Sequence, residues 1–173
     1  ALMIIFNGSS MAGEKVHKLP YEKEFSFDQM NGKVEFKIRV TEDDSYEFYA
    51  TFYKERPNKF SHFLDGPFDK EKHDAFNKIL QSERGEKGFL VDKGAPVNFE
   101  IKVYDLPSMN LLYEHSTETP ETNTSYMGRM ASIGWMPLKK GKNYQLEVTY
   151  HLLDSSVQLI KPSIKVYKTQ RPK

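Results

Sequence analysis

Apolar and polar residues alternate along most of this chain, with a period of two. In "FSFDQMNGKVEFKIRV", Phe25 and Phe27 share one side, and Val34, Phe36, Ile38 and Val40 then alternate with Lys33, Glu35, Lys37 and Arg39. "YEFYATFY" repeats the pattern with Tyr46, Phe48, Ala50 and Phe52. Side chains of a strand point alternately to its two faces, so each run predicts a half-buried strand with a polar outer row. "TEDDS" (41–45) reads as the turn between them, and the two strands are expected to form an antiparallel hairpin.

Further strands follow. "APVNFEIKVYDL" sets Val97, Phe99, Ile101 and Val103 on one side, and "LLYEHST" is its short partner after the turn "PSMN". "ETPETNTS" reads as a polar loop. "YMGRMASIGWMPL" reads as a strand bent or bulged at Gly128 and Gly134. After the turn "KKGK" (139–142), "YQLEVTYHL" alternates Tyr144, Leu146, Val148 and Tyr150, and "SIKVYKT" closes the chain with Ile164 and Val166.

One segment breaks the period. "DKEKHDAFNKILQS" predicts a helix capped by Asp69, with Ala75, Phe76, Ile79 and Leu80 as its apolar stripe and the glycines of "ERGEKG" ending it. The expected fold is mainly β: an antiparallel, immunoglobulin-like β-sandwich of about seven or eight strands with one inserted α-helix. Its core should hold Phe36, Ile38, Phe48, Phe52, Phe99, Ile101, Leu146 and Val148, the same-parity positions of the alternating runs.

Composition narrows the picture. With 173 residues the chain suffices for one domain with a real core. Its 25 basic and 24 acidic residues give a net charge of +1, so no strong field draws nucleic acid, and nucleic acid is not an expected partner. Cysteine is absent, which excludes every thiolate mechanism.

The opening "ALMIIFNGSSMAG" has two readings. "LMIIF" has the character of the tail of an export signal's apolar region and "SMAG" of a small-residue cleavage site, without a basic segment ahead of them. Alternatively, Leu2–Phe6 is a first strand closed by an Asn7-Gly8 turn. In both cases Gly13 to Lys15 reads as a polar linker; the expected division is a signal remnant or linker over 1–15 and a single β-sandwich domain over 16–173.

No motif announces a reaction. His62, Asp65, Asp69 and His73 are the closest grouping of ligand-type residues, but their spacing matches no metal motif, and a solvated helix start accounts for them. No G-x-S-x-G elbow and no phosphate-binding loop is present. The chain therefore reads as non-enzymatic, with no metal and no cofactor implied. The stretch "RPNKFSHFLDGPF" is different, because clustered aromatic residues among turn residues either cover the helix or contact a partner. Arg56, Phe60, His62 and Phe63 are the candidate contacts there, at the expected centre of the surface. Tyr126 and Arg129, in "ETNTSYMGR", are expected at its rim. The outer rows of the strands are rich in Lys and Glu, which anchor interfaces poorly.

From Phe36 onward, "VEFKIRV", "YEFYATFYK", the charged helical insert, "GAPVNFEIKVYDL", "GRMASIGWMPLKKGKNYQLEV" and "PSIKVY" resemble the DUF5625 family of Proteobacteria. The resemblance spans most of the chain and rests on structural, alternating motifs. It implies an exported, lipoprotein-like β-sandwich. Members often carry a lipobox cysteine, which these residues do not include, so any membrane tether implied by the family would lie elsewhere. It also implies a periplasmic immunity protein, whose protein partner is a toxic type VI secretion effector of the lipase class encoded nearby. A ligand-binding or adhesive β-sandwich module of the cell envelope is the alternative.

Overall fold

The computed structural model describes residues 15–53, 69–84, 90–125 and 128–169. In chain order its elements are β1 (Val16–Lys18), β2 (Tyr21–Glu24), β3 (Asn31–Arg39), β4 (Asp44–Tyr53), α1 (Lys70–Ile79), β5 (Ser82–Arg84), β6 (Leu90–Asp92), β7 (Val97–Leu106), β8 (Leu111–Thr117), β9 (Asn123–Ser125), β10 (Gly128–Leu138), β11 (Asn143–Leu152), a short 3-10 turn (Ser155–Leu159) and β12 (Lys161–Lys168). The first sheet has the order β1-β3-β11-β7-β8 and the second β2-β12-β4-β10-β9, while β5 and β6 form a small separate ribbon. All neighbours are antiparallel except β1 and β3.

The two five-stranded sheets face each other across the predicted core. All eight core positions named from the alternation are buried, none more than 2% exposed. They belong to one cluster that also takes in Tyr144, Ile164 and Val166. Ring contacts cross it: Phe52 meets Phe99 at 6.3 Å and Phe48 meets Tyr113 at 6.2 Å between centroids.

The expected β3–β4 hairpin does not form. β3 lies between β1 and β11, while β4 lies between β12 and β10 in the other sheet. Residues 40–43 carry the chain across the sandwich and are pinned to a second crossing at 139–142. Val40 N–H donates to the Lys142 carbonyl at 3.0 Å and Gly141 N–H to the Val40 carbonyl at 2.8 Å. The Asp43 carboxylate accepts from Lys140 N–H at 2.6 Å. Alternation specifies which side of a strand is buried, but both inward rows are equally buried whether the strands pair or oppose each other.

Other differences are local. Phe25 and Phe27 precede the strand, which begins at Asn31; Phe27 is instead buried edge-on against Tyr150, with centroids 4.9 Å apart. In α1 the Asp69 side chain accepts from Lys72 N–H at 3.0 Å as the cap. Ala75 is exposed, which leaves Phe76 and Leu80 as the buried contacts and Ile79 half-buried. The polar loop before β10 contains β9. The bulge in β10 falls between Ser132 and Gly134, and Gly128 continues in regular register. A Cβ at Gly134 would stand 2.8 Å from the Tyr113 hydroxyl, so the bulge site accepts only glycine without movement of that ring.

Leu146 is fully buried on β11, between β3 and β7. Leu146→Ala should cost about 2–5 kcal/mol in urea unfolding. Lys102→Ala on the outer row of the same sheet should cost less than about 1 kcal/mol. Equal effects would show that Leu146 does not occupy the packed interior.

Candidate functional site

Of the predicted contact residues, Arg56, Phe60, His62, Phe63 and Tyr126 lie outside the described residues, as does Asp65. Arg129 is described, and it is not at a rim. Its side chain is buried, with the residue 5% exposed on β10. Nε donates to Thr122 Oγ1 at 2.6 Å, and one terminal nitrogen donates to the Thr122 carbonyl at 2.8 Å and to Asp92 Oδ2 at 3.0 Å. Asp92 also accepts from Thr122 N–H, the Thr122 hydroxyl and Gly94 N–H, at 2.9, 2.7 and 2.8 Å. Gly94 has φ +86°, and a Cβ there would run into the Thr119 carbonyl. These bonds tie β6 and the 118–122 loop to β10. An arginine beside Gly128 in a polar stretch looks exposed; only the fold brings Asp92 to it.

The other polar candidates have ordinary roles. His73 lies exposed on α1 with Nε2 3.0 Å from Asn77 Nδ2, and Asp69 is spent on the helix cap. Among the described residues, no group of three or more His, Asp or Glu side chains is placed to hold a metal.

The two outer faces differ sharply. On the first sheet, Lys33 bridges Glu35 and Glu147 at 2.7 and 3.3 Å, and Lys102 bridges Glu100 and Glu114 at 2.6 and 3.2 Å. This is the Lys and Glu surface the alternation predicts. The second sheet departs from it. Register places Lys165 opposite Tyr49, Tyr167 opposite Glu47, and Glu47 in turn opposite Trp135. Its outer face therefore carries three aromatic side chains around a carboxylate.

That face has a closed end and an open end. At the closed end Tyr53, Thr51 and Ser163 are buried. Glu22 Oε1 accepts from the Tyr53 hydroxyl at 3.0 Å and from the Ser163 hydroxyl at 2.5 Å. Burial, reinforced by the Glu22 charge, pushes the Tyr53 phenol well above its ordinary range. Lys165 Nζ lies 3.5 Å from Glu22, 5.2 Å from the Tyr53 ring centre and 6.0 Å from that of Tyr167. At the open end Trp135 is 48% exposed and Tyr167 39%. Between these ends, partial burial and a hydrogen bond to Glu47 push the Tyr49 phenol up to about 12. At neutral pH it therefore stays protonated. Sequence reading missed Tyr49, Trp135 and Tyr167 because each is one apolar side chain at an outward position of its strand. Their convergence needs the cross-strand register.

The described residues form a mainly β, two-sheet sandwich with one helix. Residues 22–168 match the family model described as "Domain of unknown function (DUF5625)", and the chain belongs to that family. No curated protein matches it. Among solved structures, it is similar to a crystal structure from Sulfurospirillum deleyianum, with a TM-score of 0.60 and 16% identity over 88% of this chain and 98% of that one. That likeness shows the fold. A ruminal GH26 endo-β-1,4-mannanase shares 14% identity over 92% of this chain and 28% of its own, at a TM-score of 0.39. The matching family is one of unknown function, and it is not a catalytic family by its description.

The Arg129 cluster gives a pH-dependent test. Burial raises the Asp92 pKa, but hydrogen bonds from Thr122, Gly94 and Arg129 lower it by more, so the carboxyl sits below its usual range. A group whose pKa is depressed by folding stabilises above its unfolded value and loses that contribution as pH falls through its folded value. Asp92 therefore contributes fully at neutral pH and progressively less below about pH 4. Arg129→Ala should cost about 3–5 kcal/mol at pH 7 by denaturant unfolding. Asp92→Asn should flatten the acid limb of the stability curve. An unchanged limb would mean that Asp92 does not report on folding.

Proposed function

We propose that this chain is a non-catalytic periplasmic binding protein that inhibits a toxic type VI secretion effector of the lipase class: an immunity protein. The observation that carries the binding reading is the contrast between the outer faces. On the first sheet Lys33 and Lys102 are each bridged to two glutamates, whereas the second sheet exposes the aromatic side chains of Trp135 and Tyr167 beside polar neighbours. Protein interfaces are anchored by Trp, Tyr and Arg within a polar rim, and Lys and Glu are depleted from their centres. The lipase assignment is an expectation from the family resemblance. The predicted contacts Arg56, Phe60, His62, Phe63 and Tyr126 belong to the same proposal.

The test is binding and inhibition of the lipase-class effector encoded nearby, with calorimetry to give the affinity. Trp135→Ala together with Tyr167→Ala should weaken the complex by about 2–4 kcal/mol, roughly 30-fold to 1,000-fold, with an unchanged unfolding midpoint. Lys102→Ala on the opposite face should leave affinity unchanged. Phe60→Ala with Phe63→Ala tests the loop in the same assay. Failure of the wild-type chain to bind or inhibit the effector would overturn the immunity reading. Wild-type binding that is insensitive to Trp135 and Tyr167 would move the interface off this face.

A further inference from the structure

We propose that β8 is the docking edge for a second copy of this chain, which adds its own β8 antiparallel about a two-fold axis at His115. This edge is separate from the outer face of the second sheet, so the inference does not rest on the binding reading above.

The four outer strands of the two large sheets are unequal. β1, β2 and β9 have three or four residues, whereas β8 has seven. Short edges offer little backbone to a visiting strand, and longer ones are blunted by bulges, prolines or lysines. The stretch of β10 beyond β9 is blunted in this way by its bulge, and the Tyr113 hydroxyl accepts from Trp135 N–H there at 3.2 Å. β8 holds no proline and no lysine. Its irregularity falls between Leu111 and Tyr113, and 113–117 keep regular register with β7. Its one carboxylate, Glu114, is tied back to Lys102 at 3.2 Å. Glu114, His115 and Ser116 are all exposed, so both faces of the strand reach solvent at this edge.

β7 fixes the direction of the β8 backbone groups. Asp105 N–H donates to the Asn110 carbonyl at 3.0 Å, and the Asp105 carbonyl accepts from Met109 N–H at 2.8 Å. On the other side of β7 the Pro96 carbonyl accepts from Leu153 N–H at 2.9 Å. Odd-numbered residues of β7 therefore turn their backbone groups toward β8, and even-numbered ones toward β11. Phe99, Ile101 and Val103 stand opposite Thr117, His115 and Tyr113, whose backbone groups they occupy. Glu114 and Ser116 alternate with these and point their N–H and C=O groups away from β7.

Charge selects the occupant and its register. A second β8 must set outward-pointing residues against each other. Glu114 against Glu114 would place like charges directly opposite, which destabilises a strand pair. Ser116 against Ser116 would place Glu114 against Glu118 of the second copy, with the same penalty. Glu114 against Ser116 of the second copy avoids both and sets a hydroxyl donor beside each carboxylate. Two-fold symmetry repeats that pair on either side of His115, so the strand is complementary to its own copy. The dimer extends the first sheet and leaves the outer face of the second uncovered.

Sedimentation velocity of the full chain should show a monomer–dimer equilibrium with a dissociation constant on the order of 10–100 µM. Ser116→Glu, facing Glu114 of the second copy twice over, should weaken the dimer roughly tenfold, and Ser116→Lys should tighten it. Ser116→Pro removes an N–H that β7 does not use, so it should abolish the dimer with little change in the thermal unfolding midpoint. The chain has no cysteine, so His115→Cys carries one thiol. Opposite residues of a non-hydrogen-bonded antiparallel pair have Cα atoms about 4.5 Å apart, within disulfide range. His115→Cys should therefore cross-link in oxidised glutathione roughly tenfold faster than Lys33→Cys on the outer face of the same sheet, with the edge otherwise intact. The proposal is overturned if the wild type stays monomeric at about 1 mM, which would leave the edge to a strand from another protein. It is also overturned if folded Ser116→Glu and Ser116→Pro dimerise as the wild type does, or if the two cysteine variants cross-link at equal rates.

Discussion

Two crossings of the chain between the sheets, at 40–43 and 139–142, are hydrogen-bonded to each other, and the architecture depends on that contact. It sets β3 beside β11 in one sheet and β4 beside β10 in the other. Had β3 and β4 paired, β4 would lie in the first sheet, and the rows from β12 through β4 to β10 would not exist. The backbone groups at these corners find partners in the opposite crossing, as buried polar groups require. The packed interior then follows, because the inward rows of the two sheets are brought face to face.

A sandwich built this way has two outer faces with unequal chemistry. The first sheet spends its charges on cross-strand Lys–Glu pairs, which are worth little to stability and cover the surface with groups that bind partners poorly. The second sheet divides along its length. Around Tyr53 the Tyr53 and Ser163 hydroxyls are buried and donate to Glu22; farther along, Trp135 and Tyr167 are exposed.

Arg129 shows how position misleads when burial is unknown. Between a glycine and methionines, after a loop of Thr and Glu, it has the local character of an interface arginine. The fold instead makes it a strut: its guanidinium holds the 118–122 loop and β6 against β10 through Thr122 and Asp92. The same residue type serves either purpose. The difference lies in whether an acceptor 37 positions away in the chain is brought to it.

Residues within one strand were legible because their constraint is local. A period of two tells which side chains share a face, and the buried rows from Val34 to Ile38, Phe48 to Phe52, Val97 to Val103 and Tyr144 to Val148 required nothing more. Six strands of at least eight residues carry that signal; the seven-residue β8 does not, its adjacent Leu111 and Leu112 both being exposed. The three- and four-residue strands β1, β2, β5, β6 and β9 were not legible, since a segment that short displays at most two residues on a face. What the chain determined alone was thus which residues are inside. Which strands are neighbours was decided by tertiary structure, because alternation is satisfied equally by pairing within a sheet and by opposition across the core. The meeting of Tyr49, Glu47, Trp135 and Tyr167 depends on that second choice. They come from three strands spread over more than half of the chain, and only hydrogen-bonded register across β12, β4 and β10 sets them side by side.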